Sequence, residues 1–148
     1  MDKQPAGISL VTLGVEDIAL STKFYAALGW RLAPQSQPSV SFLQGHNIVL
    51  GLFGRGALAE DAHVKDVATG FAAISLAVNL PSQAAVDSYF AKALGAGATP
   101  RKQPQKVFWG GYSSYFSDPD GHLWEIAHNP FFHMDDNGKL DLFTEAQR

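Results

Sequence analysis

The stretch FSDPDGHLWEIAH, residues 116–128, places Asp118, Asp120, His122, Glu125 and His128 within a turn and the strand that follows it. Carboxylates and imidazoles at such spacing could ligate a divalent metal, work as general acid and base, or cap backbone groups of a turn. The turn accounts for several of them. Pro119 suits position i+1 and Gly121 position i+3 of a type I turn opened by Asp118, and the further oxygen ligands of a calcium loop are lacking. Asp118 and Asp120 therefore read as turn-formers. His122 reads as a positional residue at the turn exit, with catalysis as its alternative. Alternation through 123–127 puts Trp124 and Ile126 on one face and Leu123, Glu125 and Ala127 on the other, and His128 falls in the opposite phase from Glu125. Glu125 is thus a carboxylate turned away from the core. In a pocket it is a candidate general base, and in water or beside a lysine or arginine it is a surface charge.

In the strand before it, Trp109, Gly111, Ser113 and Tyr115 share one phase, and Tyr112, Ser114 and Phe116 the other. Aromatic side chains with a polar handle suit a planar, partly apolar ligand, and the competing reading is that they fill the sheet interior. Tyr112, Phe116 and Trp124 are assigned to the core. Lys102 and Lys106 read as solvated loop charges, with gating of an anionic ligand as the alternative.

The elements that must position these groups come twice. SLVTLGV (9–15) alternates as a half-buried strand, Asp17 can cap a helix with Leu20, Phe24, Ala27 and Leu28 on one face, and Gly29 ends it. Strands at 30–33, 40–43 and 48–53 follow, the last two joined at Gly45-His46. AISLAVN (73–79) repeats the first strand, and Ser82 can cap a helix whose Val86, Tyr89, Phe90, Ala93 and Leu94 form one face before Gly95. A short strand near 99–101, a strand at 107–116 and a last one at 123–127 complete the second half. Leu13 aligns with Leu76, Tyr25 with Phe90, and Gly45-His46 with Gly121-His122. The expectation is an α+β domain over 8–130 made of two βαβββ modules, 8–53 and 71–130. A connection spans 54–70, with a helical turn at 57–62, and a tail spans 131–148, with a hairpin at Asn137-Gly138. Each sheet has one face covered by its helix and one open, and two such sheets joined edge to edge form a curved, partly closed mixed sheet around a cavity.

At 148 residues with 46% apolar and 17% charged, the chain can bury a full core without disulfide or structural zinc. There is no cysteine, hence no thiol nucleophile or thiolate site. A net charge of -3 without a lysine or arginine cluster argues against nucleic acid as a partner. The longest apolar run, 48–53, is far short of the ~20 residues that span a bilayer, and MDKQPAG offers no apolar leader segment. No membrane association and a cytoplasmic location are expected.

Two βαβββ halves, D-x-x-x-S-x-x-F-Y-x-x-L-G at 17–29 and Y-F-x-D-P-D-G-H-x-x-E at 115–125 together resemble the vicinal oxygen chelate superfamily. That superfamily includes glyoxalase I, bleomycin-resistance proteins, fosfomycin-resistance transferases and extradiol dioxygenases. The resemblance implies metal ligands on the first and last strands of each half, facing the trough. Carried over, these positions are Leu10, Ala73, either Val49 or Gly51, and Glu125. One carboxylate among apolar side chains does not hold a divalent ion tightly, so no cofactor is expected, the alternative being a divalent metal at Glu125. By resemblance to the fosfomycin-resistance branch, Ser113 and Tyr115 face the pocket beside Glu125, with Trp109 walling its outer end and Leu10 and Ala73 lining it.

The expected function is metal-independent binding of a small, partly aromatic molecule in the sheet cavity. The alternative is an enzyme in the same cavity: a lyase or isomerase with Glu125 as base and Tyr115 as proton donor, or a metal-dependent dioxygenase. A ligand-responsive regulatory domain is a third reading. The resemblance also implies a homodimer, which an exposed sheet edge would favour.

Overall fold

The computed structural model describes residues 6–67 and 70–144. Residues 1–5 of the start, 68 and 69 of the connection and 145–148 of the tail lie outside the described residues. β1 (Leu10–Val15) leads through Asp17, whose carboxylate accepts the Leu20 N–H at 3.0 Å, into α1 (Ile18–Ala27). β2 (Arg31–Leu32), β3 (Val40–Gln44) and β4 (Val49–Gly54) follow, with the β3–β4 turn closed by Gly45 N–H on the Ile48 carbonyl. They form a sheet ordered β1-β4-β3-β2, parallel between β1 and β4 and antiparallel elsewhere. A short helix α2 (Arg55–Asp61) begins the connection.

The second half repeats the plan with β5 (Leu76–Asn79), α3 (Gln83–Ala96), β6 (Thr99–Lys106), β7 (Tyr112–Ser117) and β8 (Leu123–His128), in a sheet ordered β5-β8-β7-β6. Ser82 caps α3 through the Ala85 N–H. The tail forms the expected hairpin, β9 (His133–Met134) with β10 (Leu140–Asp141).

Three differences from the sequence expectation bear on the site. α3 runs past Gly95 and stops at Gly97, whose φ of 114° supplies the left-handed residue that ends the helix. The 99–101 and 107–116 strands become an eight-residue edge strand, a turn at 107–111 and a six-residue strand. Pro100 and Pro104 are tolerated because β6 pairs on one side only. The buried face of α1 holds Ser21, Phe24, Tyr25 and Leu28, whereas Leu20 is 53% exposed. Ser21 and Tyr25 go inside because the second half supplies their partners.

Those partners join the modules. Tyr25 donates its hydroxyl to Asp118 Oδ2 at 2.6 Å and accepts the Trp124 Nε1–H at 3.0 Å. Asp120 accepts the Glu16 N–H and the Ser21 hydroxyl, and His122 donates Nε2–H to the Gly14 carbonyl. Phe24, Tyr25, Trp30, Phe116 and Trp124 pack around this seam, edge to face except for the tilted Tyr25–Trp124 pair, with ring centroids 4.9–6.4 Å apart. Residues of both halves share one hydrophobic core on the helix-covered side of the sheets. No ladder joins the two sheets among the described residues, so they stay open rather than closing edge to edge, and each keeps an open face. No described helix is long and apolar enough to cross a membrane.

Candidate ligand-binding face of the second sheet

The β7–β8 register decides what the open face carries. Ser114, Phe116, Trp124 and Ile126 are buried in the core, so Ser113, Tyr115, Ser117, Leu123, Glu125 and Ala127 project from the other side. Tyr115 stands directly opposite Glu125. Burial raises the Tyr115 phenol above its ordinary value, and Glu125 adds to the rise through its charge and a hydrogen bond. Like an ordinary tyrosine, the phenol is protonated at neutral pH and can donate to the carboxylate beside it. No lysine or arginine lies within 4 Å of Glu125 among the described residues.

At one end of this face lies a shallow, open cavity of about 430 Å³, lined by Phe71, Ala73, Ile74, Ser75, Tyr115 and Leu123. Arg101 and Lys102 form its remaining side. Of the residues singled out from sequence, Tyr115 and Ala73 line the cavity, and Glu125 adjoins Tyr115 without lining it. Ser113 is buried beneath Lys102, accepting its ammonium at 2.9 Å. Trp109 belongs to the β6–β7 turn rather than to a strand. Its ring covers the open-face side of Gly111, so closely that a side chain there would collide with it, and it does not line the cavity. Leu10 sits on the first sheet, opposite Val49, and is not among the residues gathered here.

Lys102 is the main departure from the sequence reading. It is a half-buried strand residue whose ammonium lies 5.6 Å from the Tyr115 ring centroid, not a solvated loop charge. Arg101, also missed, donates Nε–H to the buried Ser117 hydroxyl at 2.8 Å. The prolines of TPRKQPQK hid how far this strand runs beyond 101, and with it the signal that a cationic pair faces β7. His122 spends its Nε2–H on the Gly14 carbonyl, so its role is in the seam between modules, not at the cavity.

The ladders also settle which positions correspond between halves. Glu125 opposes Ala77 as Gly51 opposes Thr12, so Gly51 rather than Val49 is the counterpart of Glu125. Leu10 corresponds to Ser75, just before β5, by its distance along the chain from the N-caps Asp17 and Ser82. Ala73 falls outside β5, with a left-handed φ of 58°, which corrects the alignment of Leu13 with Leu76. The residues present do not fit a metal held in the manner the resemblance implies. Leu10 and Gly51 offer no ligand atom, and a Cβ at Gly51 would meet Thr12 Oγ1 at 3.1 Å and Leu10 Cδ1 at 3.4 Å. Among the described residues no three His, Cys, Asp or Glu side chains converge.

Comparison with known proteins agrees with this architecture. The family description "Glyoxalase/Bleomycin resistance protein/Dioxygenase superfamily" matches residues 7–126, and the chain belongs to that superfamily. A glyoxalase-related enzyme from Fulvimarina pelagi is 29% identical, with a TM-score of 0.84 over 93% of this chain and 98% of the other. A glyoxalase/bleomycin resistance protein/dioxygenase family enzyme from Burkholderia phytofirmans PsJN is 22% identical, with a TM-score of 0.72 over 81% and 96%. A lactoylglutathione lyase from Agrobacterium tumefaciens shares the fold at 19% identity, with a TM-score of 0.64 over 86% and 96%. No curated protein matches the chain.

Proposed function

We propose that this protein binds a small, partly aromatic molecule, without a metal, in the cavity on the open face of its second sheet. The observation that carries the reading is the cavity itself: about 430 Å³ of mainly apolar wall with a few polar groups on strands β6 and β7. Tyr115 offers a ring for stacking and a protonated hydroxyl, with Glu125 beside it as a further anchor. The mismatch of Leu10, Gly51 and Ala73 or Ser75 with any ligand set supports the metal-free part. Homodimerisation accompanies the proposal, because Ile8, Leu10 and Leu32 of the first half expose apolar surface that the cavity does not use. A single elution peak at monomer mass would count against it.

A second reading, lyase or isomerase chemistry, draws on the Tyr115–Glu125 pair: a carboxylate to take a proton and a phenol held protonated to give one. A thermal-shift screen of aromatic compounds, 2-oxoaldehyde conjugates and catechols tests binding, since a ligand at 100 times its dissociation constant adds about 2.7 kcal/mol of stability. Saturable binding without turnover is the expected outcome, whereas turnover abolished by Glu125→Gln would establish the enzymatic reading. Elemental analysis is the second measurement: stoichiometric metal that is lost in Glu125→Ala would overturn metal independence.

A further inference from the structure

We propose that the molecule bound in this cavity carries an oxyanion head on an apolar body, and that Arg101 and Lys102 hold the head. The inference rests on the binding reading above and adds the chemical class of the ligand. Consecutive residues of a regular strand point to opposite faces. Arg101 and Lys102 instead line the same cavity, and the β6–β7 ladder supplies the reason. Pro100 opposes Phe116 and Lys102 opposes the next residue, Tyr115, so Arg101 is an extra residue in a β-bulge. A bulge of this kind re-aims a side chain.

Both cations are then held from below by serines of the same β7 face. Ser117 takes the Arg101 Nε–H and Ser113 takes the Lys102 ammonium, and each serine is 2% exposed. These contacts tether the cations at two points of the wall, on serines about 13 Å apart along the strand, without neutralising them. Among the described residues no carboxylate lies within 4 Å of either cation, and the terminal guanidinium nitrogens of Arg101 make no hydrogen bond. In a chain of net charge -3 this is a local reversal of sign, built on an edge strand beside an apolar wall. A planar guanidinium and an ammonium carried on adjacent residues of one wall, each tethered by a single serine hydrogen bond, can both turn onto the oxygens of a carboxylate, sulfonate or phosphate bound between them. The row Lys102–Tyr115–Glu125 across β6, β7 and β8 sets the polarity: the head is drawn toward β6 and repelled from Glu125, and the body lies against Phe71, Ile74 and Leu123.

A pair of fluorescent probes with one skeleton tests this: 1-anilinonaphthalene-8-sulfonate, an anion, and uncharged N-phenyl-1-naphthylamine. The sulfonate should bind saturably at one per chain and more tightly than the neutral probe. Arg101→Gln or Lys102→Gln should weaken it about tenfold and the double variant about a hundredfold, with the neutral probe nearly unaffected. Lys102→Arg should restore most of the sulfonate affinity relative to Lys102→Gln. Ile74→Gln should weaken both probes, which locates them in the cavity. Raising ionic strength from about 0.05 to 0.5 M should weaken only the sulfonate, a measurement on the native protein that does not depend on any variant folding. Equal affinities, or sulfonate binding unmoved by both salt and the double variant, with both probes still sensitive to Ile74→Gln, would overturn the oxyanion class alone. Binding of neither probe, or binding that Ile74→Gln leaves unchanged, would overturn the cavity reading with it.

Discussion

Two tyrosines are set apart by what stands next to them. Tyr115 has its phenol raised by burial and by Glu125 across the ladder. Glu125→Gln should therefore bring its titration back toward the ordinary value near 10, seen as an earlier tyrosinate absorbance rise on alkaline titration. Tyr25 is pushed up far more strongly, by burial first and then by the Asp118 carboxylate that it bonds, and burial holds Tyr89 up to about 12. Because these pKa values are raised in the folded state, their contribution to stability is complete below about pH 10, where unfolded tyrosines are protonated. Above that, the unfolded chain loses protons that the folded one keeps. Stability should fall by about 1.4 kcal/mol per pH unit for each of Tyr25 and Tyr89, the Tyr89 share until about pH 12. Tyr25→Phe should cost about 2 kcal/mol at pH 7, since Asp118 and Trp124 each lose a partner, and should flatten the alkaline slope in urea melts at pH 7 and 11. An unchanged slope would exclude Tyr25 as its source.

Among the elements, those with strong local signals were legible. Both N-caps, Asp17 and Ser82, the apolar face of α3, the DPDG turn and the tail hairpin all lie where the sequence put them, because each depends on contacts within a few residues. The stop of α3 was misplaced between two glycines, and substitution separates them. Gly95→Ala should stabilise by about 0.5–1 kcal/mol, as an exposed helical glycine with nothing within 4 Å of a new Cβ. Gly97→Ala has equal space but a φ of 114°, so it should destabilise by about 1–2 kcal/mol. Thermal melts of the two variants should move in opposite directions. β6 was not legible. Two prolines mask its strand character, and a bulge, which depends on the partner strand, hides which way Arg101 points.

At the scale of the molecule, the single core spanning both halves governs how the protein unfolds. Leu13, Leu52, Phe90, Trp124 and their neighbours form one cluster, and the Asp118 and Asp120 bonds cross from one module to the other. Residues 8–53 and 71–130 expressed separately should each fail to fold, and the whole chain should unfold in one transition, with far-UV circular dichroism and tryptophan fluorescence coincident in urea. A folded, cooperatively melting half would contradict the shared core. The repeat, the α+β class and the orientation of Glu125 followed from the sequence alone, because strand alternation, caps and turn chemistry act over short distances, while the facing of Tyr115 came from the resemblance. The tertiary structure alone decided that DPDGH ties the modules together, that Gly51 rather than Val49 matches Glu125, and that Arg101 and Lys102 share one wall. Those outcomes depend on register between strands and on packing between halves, where residues far apart in the chain compete for the same partners.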